Sequence, residues 1–90
     1  MSFPKVLDNA RVLFYTPQSC YGTVHYLSGE IADHICYLAI CNYKNDASFY
    51  LFGCNKNYEV IDDTPWDSIE ECMRIAQTSY NDLIVWIKMD

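Results

Sequence analysis

The sequence is short of basic residues, and this limits the partners that it can have. Its 90 residues include six Lys and Arg against twelve Asp and Glu, so the net charge is −6 and the isoelectric point is about 4.6. Proteins that bind nucleic acids carry clustered basic residues, and anionic membrane surfaces attract the same charge. We therefore expect neither nucleic acid nor membrane as a partner, whereas a basic protein is compatible with this charge.

Glycine, proline and long apolar runs are also scarce. Three Gly and three Pro are too few for a loop-rich scaffold, while 51% hydrophobic and 16% aromatic residues exclude a disordered chain. No apolar run approaches the roughly 20 residues that span a bilayer. The N-terminus lacks the stretch of about 7–15 apolar residues that marks a secretory signal. We expect a soluble, cytoplasmic protein with residues 1–90 in a single domain.

The cysteines lack the spacing of a disulfide framework. They are odd in number and no two stand in Cys-x-x-Cys order; they are Cys20, Cys36, Cys41, Cys54 and Cys72. Free thiols that serve as small hydrophobic residues fit this pattern and a reducing compartment. A disulfide scaffold is the weaker interpretation.

No catalytic or metal-binding pattern is visible. Cys20 is a candidate nucleophile and His25 and His34 are candidate bases, but a nucleophile needs its base within hydrogen-bond reach. His34 and Cys36 would share one face of a strand, yet structural zinc takes about four ligands. The aspartates between residues 62 and 67 lack the pattern of a calcium loop. We expect a non-enzymatic protein with no cofactor.

The chain does contain a succession of strands and one capped helix. Strands are predicted over residues 11–15, 23–27, 34–43, 48–54, 58–62 and 83–87. The helix has two competing starts, Thr64 before Pro65 and the capping box of Ser68 with Glu71. Asn81-Asp82 is expected to end it. The pattern predicts an α+β fold, an antiparallel β-sheet of about five to six strands with one main α-helix (residues ~65–80) packed on one face.

The central strands are apolar on both faces, which one helix cannot cover. A helix of about 13 residues is roughly 20 Å long and shields one face of a few strands. The second face must be covered by the N-terminal segment, a twin subunit or a partner protein, since a large exposed apolar surface usually marks a contact. We favour a homodimer, and a plug of Phe3, Val6 and Leu7 is the competing solution.

An acidic cluster surrounds the predicted start of the helix. Its members, with one neighbouring aromatic residue, are Glu59, Asp62, Asp63, Asp67, Glu70, Glu71 and Trp66. Acidic residues at a helix start are stabilised by the helix dipole and keep a hydrophobic domain soluble. Alternatively, they form an electrostatic face that steers a basic partner, with aromatic residues as anchors. Both interpretations stay open at this point.

The stretch from Phe49 to Tyr80 resembles a loose group of small acidic bacterial proteins found among integron gene cassettes and near toxin–immunity loci. The shared pattern is Tyr-Leu-Phe, a Cys, a hairpin, Asp-Thr and then Ser-x-Glu-Glu, which opens a helix that ends near Tyr. Tyr58 stands where the group has Trp, and Cys72 where it has Ala. The resemblance implies a small cytosolic accessory protein and carries no specific activity.

These observations favour a small non-enzymatic binding protein. It would mask a basic partner, as an immunity protein or antitoxin masks a toxin, with the acidic cluster as its binding face. The alternative is a small-molecule-binding module with a pocket between helix and sheet.

Overall fold

The computed structural model describes residues 2–80 and 83–90, and these residues form eight strands and one helix. The elements are β1 (Val6–Leu7), β2 (Ala10–Tyr15), β3 (Gly22–His25), β4 (Ile31–Ile35), β5 (Tyr37–Asn42), β6 (Phe49–Cys54), β7 (Val60–Trp66), α1 (Ile69–Ser79) and β8 (Ile87–Lys88). The predicted α+β fold, an antiparallel sheet with one helix on one face, is confirmed.

Six of the strands form one antiparallel sheet in the order β1-β2-β5-β6-β7, with β8 as an additional partner of β2. The outer side of β2 is shared, because β1 pairs with its first residues and β8 with Phe14 and Tyr15. At the opposite end, β7 pairs with β6 alone among the described strands. Exposed Asp62, Asp63 and Pro65 lie on β7, and such residues discourage an edge strand from pairing with another chain.

The predicted long strand over 34–43 is wrong at its start. β4 ends at Ile35 and pairs with β3 in a separate two-stranded sheet, whereas β5 begins at Tyr37. Cys36 lies at the break, where its N–H donates to the Cys54 carbonyl at 2.7 Å. The hydrophobic pattern hides this break because Ile35 is as buried as the residues of β5.

The helix begins at Ile69, so of the two predicted starts the one at Thr64 and Pro65 is wrong and the one at Ser68 is confirmed. Thr64 and Pro65 belong to β7, where Pro65 lies opposite Tyr50; an edge strand tolerates a proline. The cap is Ser68, whose Oγ accepts a hydrogen bond from the Glu71 N–H at 3.0 Å. The predicted helix end at residues 81–82 lies outside the described residues.

The predicted last strand over 83–87 is also wrong in extent. Only Ile87 and Lys88 pair with β2. Before them, Ile84 and Trp86 pack against the core on the helix side, while Leu83 and Val85 are exposed. The alternation of a strand is present there, but this segment has no described neighbour to pair with.

Each face of the sheet has its own core, as the two-sided pattern of the central strands predicts. On the helix side, Cys72 and Ala76 are fully buried against residues of β5 and β6, namely Leu38, Ile40 and Leu51. On the opposite side, the buried residues of the same strands are Tyr37, Ala39, Cys41, Phe52 and Cys54.

The N-terminal segment covers the second face. Phe3 and Leu7 are buried there, and the Phe3 ring stacks on Tyr15 with 4.7 Å between ring centroids. Asp8 and Asn9, with φ of 51° and 68°, form the tight turn that leads into β2, and both residue types tolerate this left-handed backbone. Two residues of the proposed plug are thus buried, whereas Val6 is exposed. The homodimer stays a prediction.

Candidate functional site

The predicted acidic cluster follows the β7 edge and the first turn of α1. Glu59, Asp62, Asp63, Asp67 and Glu70 are exposed, whereas Glu71 and Trp66 are half-buried. Their side chains do not converge on one point, because β7 directs its residues to alternate faces of the sheet. The cluster therefore divides into smaller groups with different neighbours.

A β-bulge in β7 decides which acids share a face. Between the pairs Cys54–Val60 and Gly53–Asp62 the register shifts by one residue. As a result Asp62 lies on the helix side, where the Tyr80 hydroxyl donates to its Oδ2 at 2.9 Å. Burial, and then this hydrogen bond, raises the pKa of Tyr80. Asp62 thus ties the end of α1 to β7, and Asp63 faces the opposite side.

Glu59 belongs to a network around the buried side chain of Asn55. The Asn55 Nδ2 donates to Asp33 Oδ2 at 2.9 Å and to Glu59 Oε1 at 2.8 Å. Its Oδ1 accepts from the N–H groups of Asn57 and Glu59, each at 3.0 Å. This network joins the β6–β7 turn to the β3–β4 hairpin. The hydrogen bond from Asn55, followed by that from the His34 N–H, lowers the pKa of Asp33.

Among the remaining predicted residues, Trp66, Asp67 and Glu71 have structural contacts. Glu71 Oε1 accepts from the Asp67 N–H at 3.0 Å, and its other oxygen lies 3.6 Å from Arg74. Trp66 packs against the helix-side core and donates through Nε1 to Thr64 Oγ1 at 2.7 Å. Its half-buried indole is therefore held by the fold, which limits its use as an anchor for a partner.

A different surface combines aromatic rings with carboxylates. We call it the tyrosine–aspartate surface, and it consists of Asp8, Tyr43, Asp46, Tyr50 and Asp63. The rings of Tyr43 and Tyr50 meet edge to face with centroids 5.1 Å apart, and both are half-buried against the core beneath Phe3. The Tyr50 hydroxyl donates to Asp46 Oδ2 at 2.9 Å. Asp63 reaches this side because of the bulge in β7.

The pKa shifts on this surface follow from burial, hydrogen bonds and neighbouring charges. Burial raises the pKa of Tyr43, and the charges of Asp8 and Asp63 raise it further. The hydrogen bond to Asp46 raises the pKa of Tyr50. Conversely, hydrogen bonds from the Ser48 N–H and the Tyr50 hydroxyl lower the pKa of Asp46, which keeps this carboxylate charged. No described Lys or Arg forms an ion pair with these three aspartates.

Two cavities lie beside Arg11, and the second is also lined by Tyr43 and Asp46 of the tyrosine–aspartate surface. The first, of about 540 Å³, lies between Ile69 of α1 and strands β1, β2 and β8. The second, of about 560 Å³, lies between the β1–β2 turn and the segment that follows β5. Both are half open and share Val6 and Arg11 in their walls, so they adjoin. We call the pair the Arg11 groove.

The cysteine and histidine candidates share no side-chain to side-chain hydrogen bond in the described part of the chain, although the Cys36 thiol donates to the His34 carbonyl at 3.8 Å. Cys20, His25 and His34 are exposed, and the Cys20 thiol has no described hydrogen bond to either histidine. Cys36 lies outside β4, so the premise that it shares a strand with His34 is wrong. Residues 2–80 and 83–90 hold no group of three His, Cys, Asp or Glu that could bind a metal ion.

Within the same residues, the structure has no helix of sufficient length and apolar character to span a membrane.

Sequence reasoning missed most of the tyrosine–aspartate surface. Of its members, the predicted site contained Asp63 alone. The available signal was local: Tyr43 and Tyr50 flank the break after β5, and Asp46 precedes Ser48, whose N–H its Oδ1 accepts at 2.9 Å. Asp46 uses one carboxylate oxygen for the backbone two residues later, so its second oxygen stays available to the Tyr50 hydroxyl.

Comparison of the chain with models of protein families, with curated proteins and with solved structures gave no match.

Proposed function

We propose that the protein is a non-enzymatic binding protein that masks a basic partner, as an immunity protein or antitoxin does. The observation that supports this most is the tyrosine–aspartate surface. Two tyrosine rings are held by the core, and three carboxylates surround them without a described cation in ionic contact. Together they offer a cationic side chain both a ring face and a charge partner.

The mechanism is electrostatic and steric. A net charge of −6 attracts a basic partner over a distance and speeds its association, while rings anchor the complex once it forms. Tyr is enriched among residues that dominate binding energy, because it buries a large area with few rotatable bonds. A Lys or Arg placed over such a ring gains about 0.5–2 kcal/mol, depending on how far it is desolvated.

The location of the binding face can be tested with two variants of equal charge. In Asp46→Asn/Asp63→Asn the loss of charge falls beside the rings, whereas in Glu30→Gln/Glu70→Gln it falls on exposed residues elsewhere. Each variant and the parent protein are immobilised, and proteins captured from the native host are quantified by mass spectrometry. A basic protein should be retained by the parent and the control pair and lost by the first pair. Equal retention by both pairs would contradict this face.

The cytoplasm is the compartment that we propose for this interaction. The support is the state of the cysteines, since all five are free thiols and three of them are buried. Free thiols are typical of reducing compartments.

The second candidate function is a small-molecule-binding module with a pocket between helix and sheet. It is favoured by the first cavity of the Arg11 groove, whose walls include Ile69 of α1 and Val12 to Phe14 of β2. Its volume of about 540 Å³ falls within the range of roughly 300–1,000 Å³ that is typical of ligand pockets.

A further inference from the structure

We propose that the Arg11 groove binds a small organic anion with an apolar body. This inference rests on the second function proposed above, that the cavity holds a ligand, and it adds the chemical class of that ligand. Three features of the groove support it: the charge of its rim, the apolar wall of its first cavity and an unused hydrogen-bond acceptor in its second.

The fold gathers cations at this groove although the sequence shows no basic cluster. Lys5, Arg11, Lys44 and Lys88 line its walls, and they are four of the six basic residues in the chain. They outnumber the two acidic residues of the same walls, Asp46 and Asp90. In the described part of the molecule none of these four lies within ion-pair distance of a carboxylate. A protein with net charge −6 would be expected to pair its few cations, so their accumulation without partners points to an anionic occupant.

The first cavity has an apolar wall next to these cations. Val6, Phe14 and Ile69 contribute side chains from three different elements, and Lys88 and Arg11 lie among them. Val6 is 58% exposed, unlike its neighbour Leu7, so a large aliphatic group stands open at the rim. An aliphatic or aromatic body would gain by covering this wall while its charged end meets the guanidinium or an ammonium group.

The second cavity offers an acceptor that nothing described satisfies. Asn42 lies opposite Arg11 in the β2–β5 pair, and its Oδ1 is buried without a hydrogen-bond partner among the described residues. Asn9 and Asn45 line the same cavity. Buried acceptors are rarely left without a donor. A ligand with a hydroxyl or N–H group near its anionic end would satisfy Asn42 once this side chain turns toward the cavity, while Arg11 holds the charge.

The size of the groove favours a small molecule over a macromolecule. Each cavity is concave and of the volume that holds a compact ligand, about 540 and 560 Å³. The anionic group is a carboxylate or a phosphate monoester, both of which match the planar fork of Arg11. Such a group belongs either to a free metabolite or to the head of a single-chain lipid.

The test is an amide NMR titration of the folded protein with four probes. They are octanoate, octan-1-ol, octyltrimethylammonium and inorganic phosphate. Octanoate should shift the amides of Val6, Arg11, Phe14 and Lys88 in a saturable manner. Octan-1-ol lacks the negative charge and inorganic phosphate lacks the apolar chain, so each should bind about tenfold more weakly than octanoate. Octyltrimethylammonium, which carries a positive charge, should not bind.

Two variants make the charge requirement specific. Arg11→Gln changes an exposed side chain of the groove and should weaken octanoate binding about tenfold, the effect of losing one charge-assisted contact. Lys56→Gln removes an exposed cation that lies in the β6–β7 turn, outside both cavities, and should leave the affinity within about twofold. Binding should also weaken as salt concentration rises.

The outcomes separate the ligand class from the pocket function. If octan-1-ol binds as tightly as octanoate, or if Arg11→Gln binds octanoate with full affinity, the ligand is not selected for negative charge. The proposal that the cavity binds a small molecule would then still stand. If no probe causes a saturable shift at the groove, both the anionic ligand and the small-molecule-binding function are refuted. If vesicles that contain anionic lipid shift the same amides and compete with octanoate, the anion is a lipid head group. Absence of that competition assigns it to a free metabolite.

Discussion

Asn55 shows how much of the fold one side chain organises. Its amide bonds to two carboxylates on different elements, and its oxygen accepts two backbone N–H groups. The same side chain lowers the pKa of Asp33, so this network stabilises the fold above the ordinary pKa of an aspartate. That stability is lost as pH falls through the lowered pKa, because protonated Asp33 accepts a weaker hydrogen bond.

Replacement of Asn55 by Asp should destabilise the protein in a pH-dependent manner. The new carboxylate faces Asp33 and Glu59 without a donor between them, so repulsion raises the pKa values of the group. We expect a loss of about 2 kcal/mol or more at pH 7, measured by urea unfolding. The deficit relative to the parent should shrink as pH falls toward 4, since protonation relieves the repulsion.

Asn55→Ala serves as the control for this effect. It removes the same hydrogen bonds but adds no charge. Its loss of unfolding free energy relative to the parent should therefore shrink less than that of Asn55→Asp as the pH falls toward 4. A pH-independent deficit in Asn55→Asp would mean that Asp33, Asn55 and Glu59 are not in contact in solution.

The five thiols should differ in reactivity according to burial. Cys20 is exposed and Cys36 is half-buried, whereas Cys41, Cys54 and Cys72 lie in the two cores. Burial raises the pKa of Cys54 to about 12 and that of Cys72 to about 11, so little thiolate forms at neutral pH.

Intact mass after alkylation at pH 8 should therefore show at most two modified thiols in the folded protein, with Cys20 modified first. After unfolding in guanidinium chloride all five should react. A native protein that labels at three or more positions within the same time would contradict the packing of the cores.

At the scale of elements, the start of α1 provides the clearest test of the local structure. The Ser68 hydroxyl satisfies the Glu71 N–H, and Thr64 has a role in β7 instead. We expect Ser68→Ala to lower the free energy of unfolding by about 1 kcal/mol, the usual effect of losing an N-cap. As a control, Ser79→Ala replaces a serine by alanine at the last residue of α1 and should change the free energy of unfolding by less than about 0.5 kcal/mol. An effect of Ser68→Ala no larger than that of Ser79→Ala would contradict a helix start at Ser68.

The elements that sequence predicted well are those with a strong period or a local signal. The hairpin of β5 and β6 and the apolar stripe that buries Cys72 and Ala76 follow from such patterns. The break at Cys36 could not be seen, because apolar residues continue through it. Thr64 and Pro65 carry a genuine helix-start signal, and pairing with Leu51 and Tyr50 overrides it.

The candidate sites were less predictable than the elements, because they depend on contacts between distant residues. Asp8 follows β1 and Asp63 lies on β7, at opposite edges of the sheet, yet the charges of both raise the pKa of Tyr43. The four cations of the Arg11 groove are spread from residue 5 to residue 88 in the sequence. Asp62 and Asp63 face opposite sides as neighbours in a strand, but a one-residue bulge decides which of them joins the tyrosine–aspartate surface, and no sequence pattern indicates that bulge.

At the scale of the whole molecule, the sheet is closed on its second face by its own N-terminus. Phe3 contacts Tyr15, Tyr37 and Tyr58 with ring centroids 4.7 to 5.5 Å apart. Phe3→Ala should lower the free energy of unfolding by about 3 kcal/mol, as for other buried aromatic residues. Val6→Ala, at an exposed position of the same segment, should have a much smaller effect.

Sedimentation equilibrium at micromolar concentration then decides between the plug and the homodimer. With the face already covered, we expect a mass near the 10.5 kDa of one chain. A mass near twice that value would support the homodimer, and its interface would have to use another surface, such as exposed Leu83 and Val85.

Charge is also distributed unevenly over the molecule. The tyrosine–aspartate surface and the β7 edge carry carboxylates without described cations, except for the contact of Glu71 with Arg74. Most of the cations line the Arg11 groove instead. The two proposed sites therefore select ligands of opposite sign although they adjoin, since Tyr43 and Asp46 also line the second cavity of the Arg11 groove.

The central claim is that the tyrosine–aspartate surface recognises cationic side chains. The most direct measurement is an amide NMR titration with a hexa-arginine peptide, with a hexa-glutamate peptide as the control. We expect saturable shifts centred on Tyr43, Asp46, Tyr50 and Asp63, which Asp46→Asn/Asp63→Asn weakens and Glu30→Gln/Glu70→Gln does not. Shifts spread evenly over all exposed acids, or equal weakening by both variant pairs, would contradict it.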